Sequence, residues 1–124
     1  MKIDIKTKNL ELTQALQNFT EKKFYTLTKF IQLLKKDEEK NTLAEALVEL
    51  ERETNHHRKG GVYIVKCRIQ FPGRSLMAEV RSDDLLKAIV AAKDEMKMEI
   101  EKYKFKKTDV RRREQRKLKQ EAAI

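Results

Sequence analysis

His56 and His57 stand side by side, and Cys67 is the lone thiol, so these three are the candidate zinc ligands of the chain. Neighbouring side chains in a polar loop point in different directions, and the spaced Cys/His sets that hold zinc, such as CxxC, are missing. No metal site is expected. Asp83-Asp84 and Glu38-Glu39 have the composition of acid–base couples. The first pair sits where helix capping already explains it, however, and the second lies in a charged loop. There is no GxxxxGK[ST] or GxGxxG run to cradle a nucleotide, and the three glycines read as turns. Catalysis, cofactors and a small-molecule substrate are therefore not expected, and the chain does not read as an enzyme.

Charge is the chemistry the chain does offer. It holds 29 Lys and Arg against 20 Asp and Glu, a net +9. Residues 102–120 contain ten of these cations and only Asp109 and Glu114 as acids, while the rest of the chain is near neutral with 19 cations and 18 carboxylates. A local excess of this density points to a polyanionic partner. Lys22 and Lys29, seven residues apart, fall on nearly one helix face with Lys23 beside them. Lys93, Lys97 and Lys104 share a second, solvent-facing line. A lysine-bearing helix face is ordinarily only solvated. Two such faces together with the run from Lys106 would make one continuous basic surface if the helices pack side by side. Tyr63 and Phe71 are candidates for base stacking on an open sheet, but the Lys/Arg-Gly-aromatic-Gly-aromatic run of RNA-recognition sheets is absent, so core packing is the better reading.

Which elements position these groups follows from hydrophobic periodicity. Ile3 and Ile5 alternate with Lys2, Asp4 and Lys6 as a first strand. Thr13 can cap a helix reaching Leu34 or Lys35, with Leu16, Phe19, Phe24, Leu27, Ile31 and Leu34 as its apolar stripe. The charged stretch Lys35 to Asn41 reads as a loop. Ala44, Ala46, Val48 and Leu50 then mark a second strand. After the polar connection Asn55 to Gly61, Val62 to Phe71 is the strongest strand, with Tyr63, Val65, Cys67, Ile69 and Phe71 on one face and Val62 and Ile64 competing for burial. Pro72-Gly73-Arg74-Ser75 turns the chain into a fourth strand with Leu76, Ala78 and Val80 alternating. Ser82, followed by Asp83 and Asp84, caps a second helix with the stripe Leu85, Ile89, Ala92, Met96, Ile100 and Tyr103.

The expected fold is therefore α+β, in the order β-α-β-β-β-α. A right-handed crossover makes strands one and two parallel, and short connections continue an antiparallel meander, giving a four-stranded mixed sheet in the order one-two-three-four. Both helices are expected on one face, over Ile3/Ile5, Val48/Leu50, Ile69/Phe71 and Ala78/Val80. A chain of 124 residues suits one such unit. We divide it into a domain over residues 1–105 and a basic C-terminal extension over 106–124, which extends the second helix or folds on binding. The 40% charged content and mean hydropathy of -0.75 leave apolar residues scarce but patterned. The single cysteine fits a reducing compartment, no apolar run approaches membrane length, and the alternating N-terminus differs from a signal peptide. A cytoplasmic protein without membrane contacts is expected.

Ile3-Asp4-Ile5 at the first strand, Leu12-Thr13-Gln14-Ala15-Leu16 opening the first helix, and Asp84-Leu85-Leu86-Lys87-Ala88-Ile89 with Asp94 and Lys102-Tyr103-Lys104 in the second resemble the ribosome hibernation promoting factor and ribosome-associated inhibitor A family, short form. The resemblance covers residues 1–106. Leu86 stands where that family usually has an aromatic and Val90 where it usually has an acid. The likeness implies a stress-response factor that occupies the mRNA and tRNA channel of the small ribosomal subunit, binds rRNA with adjacent ribosomal proteins as optional further contacts, and inhibits translation by occupancy. It assigns rRNA contact to Lys22, Lys23, Lys29, Lys87, Lys93, Lys97, Lys102 and Lys104. Charge alone adds Lys106, Lys107, Arg111, Arg112, Arg113, Arg116 and Lys117. With the chain ending at Ile124, a short form without the dimerising domain of longer members, monomeric off the ribosome, is the expectation. A free-standing double-stranded-RNA-binding module is the alternative, and a regulatory subunit docking its tail on an acidic protein is a third reading.

Overall fold

A computed structural model describes the backbone of residues 2–34, 45–53, 62–71 and 74–122, and the side chains of 2–31, 45–53, 62–70 and 74–103. The Glu38-Glu39 loop, the His56-His57 loop, Pro72-Gly73 and the side chain of Phe71 lie outside the described residues.

The sheet comprises β1 (Lys2–Lys8), β2 (Glu45–Glu53), β3 (Val62–Phe71) and β4 (Arg74–Ser82). Its order is β1-β2-β3-β4, with β1 parallel to β2 and the other two pairs antiparallel, as the sequence predicts. Register carries the alternation across all four strands: Ile3, Ala46, Ile69 and Leu76 form one row, and Ile5, Val48, Cys67 and Ala78 the next. These rows face the helices and pack with Leu50 and Val65. Each fully buried Ile, Leu or Val in this layer is worth ~1.5 to 3 kcal/mol relative to exposure. Ile64 is also buried although its parity puts it on the opposite face, where its row-mates Glu51 and Arg81 have long stems that can cover it.

Among the described residues three helices form the second layer: α1 (Gln14–Tyr25), α2 (Thr28–Leu34) and α3 (Leu85–Ala122). Thr13 caps α1, its Oγ1 accepting from the Leu16 amide at 3.1 Å. The first helical segment does not run unbroken to Leu34 as its apolar stripe suggests. Thr26 Oγ1 donates to the Lys23 carbonyl at 2.6 Å and Thr26-Leu27 form a turn before the chain re-enters helix at Thr28. A threonine side chain competes in this way for a helical carbonyl, whereas the buried Thr28 hydroxyl beyond the break has no hydrogen-bond partner among the described residues. Leu27 nonetheless remains fully buried, so the stripe survives the interruption.

The cap of α3 also shifts. Asp84, rather than Ser82, occupies the cap: its Oδ1 accepts from the Lys87 amide at 3.1 Å and its carbonyl from Ala88 at 2.9 Å. Ser82 acts one step earlier, its Oγ accepting from the Asp84 amide at 3.2 Å. Ile89, Ala92, Met96 and Ile100 are buried against the sheet, with Leu85 and Tyr103 at the margins.

Candidate nucleic-acid interface

The two faces of the sheet treat charge differently. The uncovered face carries Lys2, Lys6, Lys8, Lys66, Arg68 and Arg81 against Asp4, Glu45, Glu49, Glu51, Glu53 and Glu79. Acidic β2 lies between the cationic strands β1 and β3, and the row Lys6, Glu49, Lys66, Glu79 alternates in sign. Lys8 pairs with Glu51 at 3.8 Å and Arg81 with Glu53 at 3.7 Å. Leu47, Glu49, Lys66, Arg68 and Met77 line a shallow depression there, with Arg68 Nη2 3.7 Å from Met77 Sδ. No aromatic stands on this face among the described residues, which removes the stacking platform of an RNA-recognition sheet. Tyr63 has the parity of the helix-covered side and is half-buried.

On the helical layer, four cations lie over rings. Lys29 Nζ of α2 lies 5.2 Å from the centroid of Phe30, and Lys97 Nζ of α3 lies 4.9 Å from the same ring. Lys23 rests 5.5 Å from Phe19, one turn back on α1. At the far end of the core, Arg74 of β4 lies over the ring of Tyr103 of α3, with its guanidinium carbon 4.8 Å from the centroid. An aromatic face attracts a cation through its quadrupole, at ~0.5 to 1 kcal/mol in exposed settings, without cancelling its charge. Among the described residues Lys29, Lys97 and Arg74 have no carboxylate partner, so their charge stays available.

The sequence-predicted lysines therefore divide. Lys29 and Lys97 converge across the α2–α3 seam. Lys22 and Lys29 do not share a face of one helix, because the break at Thr26-Leu27 places them on different helices. Lys22 and Lys87 are exposed. Lys93 is bonded to Asp94 and Lys102 to Glu99 at 3.4 Å, so both are partly compensated on their own helix. Lys93 and Lys97 are half-buried where a solvent-facing line was expected. The side chains of Lys104, Lys106, Lys107, Arg111, Arg112, Arg113, Arg116 and Lys117 lie outside the described residues, although the backbone continues as α3 to Ala122.

Two participants escape a sequence reading. Phe30 falls outside the first apolar stripe, and an aromatic left off its period between two lysine-bearing segments is a usable signal. Arg74 reads only as a turn residue until β3–β4 register places it on the helical side. Cys67 offers no chemistry: burial pushes its thiol from 9.0 up to about 12, so it stays protonated. Among the described residues no three His, Cys, Asp or Glu side chains gather as a metal site, and no helix is long and apolar enough to cross a membrane.

The chain resembles the Thermus thermophilus Protein Y N-terminal domain, with a TM-score of 0.64 and 22% identity over 83% of this chain and 99% of that one. It also resembles a ribosomal subunit interface protein from Coxiella burnetii, with a TM-score of 0.63 and 19% identity over 84% and 98%. At this identity the two structures establish the shared fold. No curated protein matches at the level of sequence. Residues 3–108 match the model of one family, nearly the span over which the sequence motifs resemble the hibernation factors. The chain belongs to the Sigma 54 modulation protein / S30EA ribosomal protein family.

Proposed function

We propose that this protein binds the small ribosomal subunit through rRNA, occupies its mRNA and tRNA channel, and holds ribosomes inactive without catalysing a reaction. The observation that carries the reading is the convergence of Lys29 and Lys97 across the α2–α3 seam on a member of a ribosomal-protein family. Structured rRNA displays phosphates and 2′-hydroxyls at fixed spacing, and a rigid set of cations can recognise that shape without reading bases. Lys22, Lys23, Lys87 and the run from Lys102 through Lys117 extend the contact, with residues 106–124 acting as a basic arm beyond the 1–105 domain. The charge-balanced sheet face would turn away from the RNA. A cytoplasmic location follows from this partner.

The test is co-sedimentation of the purified protein with vacant small subunits, with and without bound mRNA and initiator tRNA. Displacement by mRNA and tRNA supports channel occupancy. Equal binding to occupied subunits, or equal binding to naked duplex RNA, would replace it with the double-stranded-RNA module.

A further inference from the structure

We propose that Phe30 and Tyr103 organise the polyanion interface, holding cations from separate elements as two discrete phosphate sites, one formed by Lys29 with Lys97 and the other by Arg74. The inference rests on the polyanion reading above, and it adds Arg74, Phe30 and Tyr103 to the interface.

The first site is defined by two distances to one point. With both ammonium groups about 5 Å from the Phe30 centroid, they lie no more than about 10 Å apart while belonging to α2 and α3. Neither ammonium has a carboxylate partner among the described residues, so the pair is an uncompensated double positive charge. A phosphate, with several acceptor oxygens, compensates it by accepting from both. The ring replaces a carboxylate as the anchor, so the lysines are positioned without being neutralised. Lys93 and Lys102 show the contrasting arrangement, each anchored by an acid on its own helix.

The second site differs in chemistry. Arg74 enters from β4 with the parity of the helix-covered face, and Tyr103 is the last described side chain of α3 before its basic continuation. A guanidinium held over a ring makes no ion pair there and keeps its charge and the fork of N–H donors that fits phosphate. Lys97 and Tyr103 are six residues apart on α3, a rise of about 9 Å along the axis, so the two sites meet different phosphates. An interface made only of diffuse positive potential needs none of these rings.

The experiment measures affinity and its salt dependence for vacant small subunits and, in parallel, for a duplex RNA, using the full chain and its variants. Phe30→Leu and Tyr103→Leu keep every charge. We expect each to lose at least about threefold in affinity, the lower range of couplings seen between interacting groups. Lys29→Ala and Lys97→Ala should be non-additive by at least a similar factor of about three in a double-mutant cycle. Arg74→Ala should make the slope of log affinity against log salt shallower by about 0.7 to 0.9, the value of one phosphate contact. Arg74→Lys should recover the slope without the full affinity. Thermal melts accompany each variant, and because the lysine cycle and the Arg74 slope leave both rings in place, they decide the matter even if a ring substitution unfolds the chain. Additive lysines together with an unchanged Arg74 slope would overturn the proposal. If the full chain binds duplex RNA but not subunits, the ribosomal reading fails while the two sites are still tested on the duplex. If it binds neither, both fall.

Discussion

The two faces of this sheet differ in how they hold part of their cations. On the uncovered face, lysines and arginines are set against carboxylates on neighbouring strands, and the described face closes at six of each sign. On the helical layer, the charged ends of Lys23, Lys29, Lys97 and Arg74 are steadied by rings, and their charge is retained. The lesson is that net charge does not locate a polyanion site. The described helices, with seven lysines and five carboxylates, are only modestly more basic than the open sheet face. Each layer has two described ion pairs, and what the helical layer adds is cations seated on rings, an anchor that holds a charge without neutralising it.

The largest expected effect tests whether the helical layer owes its arrangement to the core beneath it. Phe24 is fully buried, and Phe24→Ala should cost ~3 to 5 kcal/mol in urea unfolding. Met77, 59% exposed on the open face, should lose less than about 0.5 kcal/mol on substitution by Ser. Equal losses would mean that the open face is covered in solution. A second test reverses charge on each face. Lys97→Glu should weaken binding to small subunits by more than about tenfold with little change in unfolding midpoint, whereas Lys66→Glu should leave binding within about twofold, since only the former removes a contact to a charged partner. Similar losses for both variants would reduce the comparison to bulk electrostatics.

Smaller effects sharpen the frame that aims the helices. Asp84→Ala removes the acceptor for the Lys87 amide and should lower stability by about 1 kcal/mol, whereas Ser82→Ala should cost less because its hydroxyl does not bond the helix amides. At neutral pH Cys67 should have no measurable effect. Burial raises its folded-state thiol to about 12 from 9.0, so below pH 9 both folded and unfolded chains keep the proton. Between pH 9 and about 12 the unfolded chain releases it first, and stability falls with rising pH. Cys67→Val should flatten that alkaline decline in pH-dependent unfolding, and an identical decline in the variant would assign it to other groups.

Much of the frame was legible because a sheet with one dry face imposes strict alternation. Ile3 and Ile5, Val48 and Leu50, and Ala78 and Val80 revealed the buried parity, and the competition between odd and even positions in β3 is real, since Ile64 and Val65 are both buried. The break in the first helix was hidden because Phe24, Leu27 and Ile31 keep their period through it; only Thr26 and Thr28 hint at a backbone that turns. The site was harder to read. Sequence spacing put Lys93, Lys97 and Lys104 on one solvent-facing line, but Lys93 and Lys97 are half-buried, and which carboxylates and rings lie within reach of each is decided by packing between elements. Lys97 and Phe30 are far apart in the chain, as are Arg74 and Tyr103, and no local pattern joins them.

The parallel pairing of β1 with β2 bears on the order in which the molecule assembles as it is made. Strands β2, β3 and β4 meet through successive connections, so each finds its neighbour soon after synthesis, whereas β1 must wait until Glu45 to Glu51 have been added before its register partners exist. Closing that long loop carries an entropic cost that the meander avoids, so β1, made before the other three strands, is expected to be the last of the four to dock. Until then Ile3 and Ile5 lack their hydrophobic seat, and the nascent chain leaves the edge of β2 open to a competing strand.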